Sequence, residues 1–207
     1  MELKNLLARD GMAPDTRILV GVAVSTWHAD WLQLSAWTTI AHQQEQPRAD
    51  LEETLLQCVL FCGFPRVITA FEQLAKEWPT DMPPSGGNLP ANDRTQAGSE
   101  LFCAIYGKNN EAVRAMLKSY HQELHDFVLE AAYGRILSRP HLEALKRELI
   151  AVGVLAAQGQ KRQFAGHARG AMHLGATREQ LRESLVTAFG GDSDQEEMVD
   201  TWLALAT

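Results

Sequence analysis

Glu148 and His167 are the side chains best suited to moving a proton, and each stands in unexpected company. Glu148 lies in ALKRELIAVGVLAAQ (144–158), where most other side chains are apolar. Leu145, Leu149 and Val152 form one helical stripe, and Ile150, Val154 and Leu155 widen it around most of the circumference. A helix this apolar is largely buried. Helical spacing puts Glu148 on the side of Leu145 and Val152. There the carboxylate either sits at the margin of the stripe, reaching water or a basic neighbour, or is dry and needs a partner. His167 lies in QFAGHARGAMHLG, among Ala165, Gly166, Ala168, Gly170 and Ala171. Small neighbours let a second helix or a ligand come close to the backbone. The imidazole is open to two readings: a structural hydrogen-bonding group, or a proton donor and acceptor near neutral pH. Arg169 either binds a carboxylate or pairs with a neighbouring acid, and His173, rotated to another face, is read as structural.

Other chemistries have weaker support. His121 and His125 are spaced i, i+4, which suits a metal, but no third ligand is evident and Gln122 stands where a zinc protease needs its glutamate. The nucleophile elbow, the phosphate loop and the dinucleotide glycine fingerprint are missing. Cys58, Cys62 and Cys103 are an odd count, unlike a disulfide framework. Cys58 and Cys62 share a helix face without CxxC spacing and read as small hydrophobes. A thiol peroxidase built on that pair is the minor alternative. The expectation is a site without metal.

These residues must be held by helices. Apolar residues recur at helical spacing along nearly the whole chain, with no strict alternation, so the fold class is all-α. The spacing predicts helices near 2–8, 16–28, 31–44, 48–61, 64–78, 97–106, 110–119, 121–133, 141–158, 161–174, 178–190 and 194–205. Pro14, Pro47, Pro65 and Pro140 stand where first turns would begin. Gly175 closes the helix that carries His167, and Thr177 with Gln180 has the spacing of a capping box opening the next. Ser193 with Glu196 has the same spacing. Residues 79–98, with four prolines and three glycines, read as a linker or long loop between residues 1–78 and 99–207.

The two parts are related. A shift of 130 positions lays residues 17–55 over 147–185 with ten identities in 39 ungapped positions. Among these are Arg17/Arg147, Gln33/Gln163, Arg48/Arg178 and Glu53/Glu183. The pattern indicates an internal duplication. Trp37 then stands where the second copy has His167, and Ile18 where it has Glu148. A polar site, if present, belongs to the second copy.

Composition narrows the partners. The 207 residues are 45% apolar and 22% charged, with a net charge of −7, as in an ordinary soluble protein. The acidic balance argues against nucleic acid. No run approaches the ~20 apolar residues of a membrane span, and MELKNLLARDG is too polar for a secretory signal, so the cytoplasm is the expected compartment. Apolar faces on nearly every helix suggest partner subunits.

Residues 133–185, YGRILSRPHLEALKRELIAVGVLAAQGQKRQFAGHARGAMHLGATREQLRESL, resemble the carboxymuconolactone decarboxylase family, which includes the alkyl hydroperoxidase D proteins. The elements that match are Tyr133-Gly134, Arg139-Pro140, Arg147-Glu148-Leu149, His167-Ala168-Arg169-Gly170-Ala171 and Leu174-Gly175-Ala176-Thr177. The first half is similar through residues 51–78, which contain Gly-Phe-Pro-Arg. The resemblance implies a duplicated helical repeat, degenerate over 1–78 and better kept over 99–207, and self-association as trimers or hexamers. In the hydroperoxidase branch a glutamate, a CxxC pair and a histidine form a proton relay. The glutamate falls on Glu148 and the histidine on His167, while the cysteines fall on Gln160 and Gln163, so thiol chemistry at that place is lost. The resemblance therefore implies a cofactor-free carboxy-lyase acting on a carboxylated unsaturated lactone from aromatic catabolism. Glu148 and His167 would be catalytic, and Arg139 or Arg169 would bind the substrate carboxylate. The alternative is a non-catalytic helical small-molecule-binding or assembly protein derived from the family, to which the degenerate first copy points. The chain departs from the family at His173, where asparagine is typical, and at GGDSDQ (190–195), which replaces a closing Gly-x-Pro.

Overall fold

In the computed structural model, which describes residues 2–81, 89–190 and 195–206, Pro14 opens the first long helix. Its missing N–H costs nothing at a position that has no acceptor anyway. The helices run α1 (Leu3–Leu7), α2 (Pro14–His28), α3 (Trp31–Gln43), α4 (Arg48–Glu77), α5 (Ala91–Tyr106), α6 (Asn110–Tyr120), α7 (Gln122–Phe127), α8 (Ala144–Ala157), α9 (Lys161–His173), α10 (Arg178–Phe189) and α11 (Glu196–Leu203). Single 3₁₀ turns follow α5 and α11, and a π-helical segment, Val128–Leu137, continues α7. No strand occurs among the described residues. The chain is all-α.

The duplication extends to individual residues. Helices α2, α3 and α4 begin at Pro14, Trp31 and Arg48, and α8, α9 and α10 begin at Ala144, Lys161 and Arg178, each 130 positions later. The turns correspond as well. Ala29 (φ 55°) and Gly159 (φ 72°) are one equivalent pair of left-handed residues, and Glu45 (φ 56°) and Gly175 (φ 100°) are another. The predicted capping box is formed: Thr177 Oγ1 accepts from the Gln180 N–H at 3.1 Å, and Gln180 Oε1 accepts from the Thr177 N–H at 2.9 Å. The Ser193–Glu196 box and most of GGDSDQ lie outside the described residues.

The two copies share one core in which α2 lies against α8. At Gly153 the helices come so close that a β-carbon would stand 2.6 Å from Val20 Cγ1. Two ionic clusters cross-brace this core. Glu53 of the first copy accepts from Arg139 (Nε at 2.8 and 2.9 Å, Nη2 at 2.6 Å) and from Arg147 (Nη2 at 2.7 Å). Glu183 of the second copy accepts from Arg9 (Nε at 2.8 Å, Nη2 at 2.6 Å) and pairs with Arg17 at 2.7 Å. Positions 9 and 139, 17 and 147, and 53 and 183 are all related by the same shift. Burial opposes ionisation of both carboxylates, yet the arginine hydrogen bonds and charges hold them below their ordinary range.

Three expectations are revised. Helix α5 begins at Ala91, inside the stretch read as linker, because Pro90 precedes a run without glycine up to Gly98 and Asp93 sits favourably in its first turn. Helix α8 begins at Ala144, leaving Pro140 in the preceding turn. Helix α4 is long and apolar enough by length and composition to cross a membrane, unlike the expected absence of such a run. Its backbone is non-helical at Gly63 (φ 74°, ψ 165°) and Pro65 follows, a break whose freed peptide groups would lack partners in lipid.

Candidate functional site

Helices α8 and α9 bring Glu148 and His167 together. Glu148 is buried to 1% exposure on α8, and His167 Nδ1 donates to its Oε2 at 2.9 Å. The dry reading of the carboxylate is the one realised: its partner is the imidazole. Gly170, one turn beyond His167, makes the approach possible. A β-carbon there would stand 2.9 Å from Glu148 Oε2 and 2.5 Å from Ile105 Cγ2. Burial disfavours the imidazolium, but the charge of Glu148 and its hydrogen bond outweigh burial and raise the pKa of His167 above the ordinary 6.5. With Nδ1 committed to Glu148, Nε2 is the ring nitrogen left for a ligand.

His167 lines a cavity of about 880 Å³ bounded by α5, α6, the π segment and α9, at the upper end of the ~300–1,000 Å³ typical of small-molecule sites. Leu60, Phe61, Phe102, Ile105, Val113 and Leu117 make much of its wall apolar. Polar groups gather near His167: Tyr106, Tyr133, Arg169 and His173 also line it. Phe61 stands edge-on to the imidazole with ring centroids 6.3 Å apart.

The second cluster of candidates divides. Arg169 lines the cavity, in reach of an anionic ligand. Arg139 does not line it: it is buried against Glu53, and its fork is spent on that carboxylate. The substrate-binding expectation for Arg139 is thereby corrected; an arginine before a proline carries no sign of which acid it will meet. His173 keeps its structural role, donating Nδ1–H to the Ile105 carbonyl at 2.8 Å and tying α9 to α5.

Sequence reasoning named Tyr133 only as part of a matching motif, without a role, and passed over Tyr106. Tyr133 Oη donates to Tyr106 Oη at 3.1 Å, and both rings pack on Phe102, with centroids 4.8 and 4.4 Å away. Burial is the main cause raising both phenol pKa values, that of Tyr133 well above 10. Tyr133 rides on the π segment, an irregularity that often marks functional sites. There Gly134 and Gly98 let the backbones of the π segment and α5 nearly touch: a β-carbon on Gly98 would lie 2.6 Å from Gly134 Cα.

The thiols lie apart from this site. Cys58 is buried and Cys62 half-buried, and neither lines the cavity. The hydrogen bond from Cys58, with Arg66 assisting against burial, lowers the Cys62 pKa, while that same bond and burial push Cys58 well up.

Comparison with known proteins decides the family. The model of the carboxymuconolactone decarboxylase family matches residues 122–191, which contain Glu148, His167 and Arg169. The 4-carboxymuconolactone decarboxylase of Acinetobacter baylyi is 30% identical over 94 residues, 45% of this chain and 70% of that protein. The chain belongs to the carboxymuconolactone decarboxylase family. Another relative is peroxisomal protein 2 of Schizosaccharomyces pombe, 29% identical over 134 residues. That match spans 63% of each chain, so the present chain covers less than two thirds of that relative. Within the family frame, the duplicated all-α fold and the second-copy motifs agree with membership.

Proposed function

We propose that the protein is a cofactor-free decarboxylase of a carboxylated unsaturated lactone of the 4-carboxymuconolactone type. The observation that carries this reading is the buried Glu148–His167 hydrogen bond at the wall of a cavity large enough for such a substrate. The carbon–carboxylate bond breaks and CO2 leaves. The electron pair passes through the ring alkene to the lactone carbonyl, giving a dienolate. This conjugation is the electron sink, so no added cofactor is needed for the step. His167 then gives its Nε2 proton to carbon, a contribution of ~10²–10⁴-fold for a positioned acid. Glu148 orients the ring and favours its charged form. Arg169 holds the substrate's anionic group.

The purified protein should release CO2 from 4-carboxymuconolactone. His167→Ala and Glu148→Gln should each lower turnover at least tenfold while keeping the helical circular dichroism spectrum. Retention of wild-type turnover by both variants would remove the pair from the mechanism.

A second reading is favoured by the volume and apolar lining of the cavity: binding of a larger apolar molecule without turnover. Absence of CO2 release from lactone acids, together with saturable binding of apolar ligands that Phe61→Ala weakens, would select it. Self-association belongs to the same proposal. Leu32, Phe64, Ile68 and Phe127 are 86, 69, 58 and 66% exposed, and trimers or hexamers would cover such groups. Light scattering that finds only monomer at micromolar concentrations would defeat this part.

A further inference from the structure

We propose that Tyr106 is the oxyanion donor of this site and that Tyr133 is its positioning residue. The inference rests on the decarboxylase reading, which leaves one demand unmet: the dienolate oxygen needs a neutral, preorganised hydrogen-bond donor. Such donors act most strongly where water is excluded and the donor need not reorganise.

The tyrosine pair has that form. Tyr133 is 3% exposed, and its hydroxyl donates to Tyr106 Oη at 3.1 Å. Tyr106 therefore accepts from behind and keeps its own proton for the cavity that it lines. No other hydrogen-bond partner of the Tyr106 hydroxyl occurs among the described residues. A donor that is itself accepting a hydrogen bond is polarised, so the chain Tyr133 to Tyr106 to ligand strengthens its last member.

Geometry holds the pair still. Phe102 packs against both rings, and the Gly98–Gly134 crossing fixes the π segment on α5. Tyr106 also faces the proton donor's helix: a β-carbon on Gly166, the neighbour of His167, would lie 3.8 Å from Tyr106 Cε1. The burial that raises both phenol pKa values keeps them as donors at neutral pH, and the negative field of Glu148 acts in the same sense. Arg169 lines the same cavity and its positive charge attracts the anion.

Substituted phenols of graded acidity serve as the probe, because a phenolate presents the same delocalised anionic oxygen as a dienolate. Ultraviolet absorbance reads the ionised fraction of the bound phenol in the whole protein. The wild type should bind phenolate in preference to phenol. Tyr106→Phe should weaken phenolate binding by about 10- to 100-fold, the usual range for a hydrogen bond to a charged group, and leave neutral phenol within about twofold. Tyr133→Phe should give a smaller loss in the same direction, which a merely structural role would not separate by charge state. Equal loss for phenol and phenolate, no loss in Tyr106→Phe, or no phenol binding at all would overturn the proposal. Should the lactone show no turnover while the Tyr106-dependent preference for phenolate persists, the decarboxylase reading fails and the oxyanion site stands.

Discussion

The two copies of the repeat keep the same frame and treat two positions oppositely. In both, a glutamate ties down two arginines of the other copy, and the two inner arginines, Arg17 and Arg147, are almost completely buried. In the second copy the Glu148–His167 pair stands at the wall of a cavity with polar groups. In the first, Trp37 stands in the place of His167 at 1% exposure, and Ile18 in the place of Glu148 at 0%. The indole fills the space to contact: a β-carbon on Gly21 would come within 2.2 Å of Trp37 Cε2. The difference teaches that in this fold the frame and the pocket are separable. Ion pairs brace both copies, and Trp37 with Ile18 packs the first where the second sets the Glu148–His167 pair against the cavity.

Removing a frame carboxylate should break the comparison most. Glu53→Ala leaves Arg139 and Arg147 buried without their acid, and loss of one partner from a buried ion cluster costs about 3–5 kcal/mol. Glu183→Ala should act likewise, with urea midpoints as the measure; a loss under about 1 kcal/mol in both would show that the frame does not depend on the clusters. A smaller effect is expected at the plug. Trp37→Phe should cost about 1–3 kcal/mol by leaving part of its site empty, whereas His167→Phe should spare stability more than activity. Equal stability losses at the two equivalent positions would contradict the division into plug and pocket.

Protonation should separate the pocket from the frame. The folded pKa of His167 is raised, so the stability from its pairing with Glu148 is fully present below about pH 6.5 and is lost as pH rises through the raised value. Glu53 and Glu183 have lowered values, so their contribution is present above the ordinary carboxylate range and is lost as pH falls through the folded values. An NMR titration of His167 should move toward lower pH in Glu148→Gln; an unchanged midpoint would deny the coupling. The smallest effect concerns a turn. Glu45 adopts φ 56° where its counterpart is Gly175, so Glu45→Gly should stabilise by about 0.5–1 kcal/mol. Thermal melting that shows no gain would mean Glu45 is compensated by contacts of its own.

Much of this was readable in the residues themselves. Helical periodicity and the 130-residue shift are local patterns, and they predicted the repeat whose helix starts and left-handed turns agree. Glu148 and His167 were each legible as polar groups in apolar or small surroundings. That they meet depended on α8 packing on α9, which no single segment encodes. Arg139 was misplaced because its partner, Glu53, lies 86 residues away. Tyr106 was passed over because α5 has no counterpart among the aligned positions, and a tyrosine's hydroxyl shows its role only when a second buried hydroxyl is placed behind it.

The crossed ion pairs also impose an order of events on synthesis. Glu53 is made 86 residues before Arg139 and 94 before Arg147, and Arg9 precedes Glu183 by 174. At translation rates of about 5–20 residues per second, Glu53 exists for roughly 5–20 s without its cations. Arg9 exists for roughly 10–35 s without its acid. During that interval the nascent first copy carries charges that its finished core would bury, so it gains by keeping them in water. Each copy thus awaits the other, and the ribosome must deliver nearly the whole chain before the shared core can close.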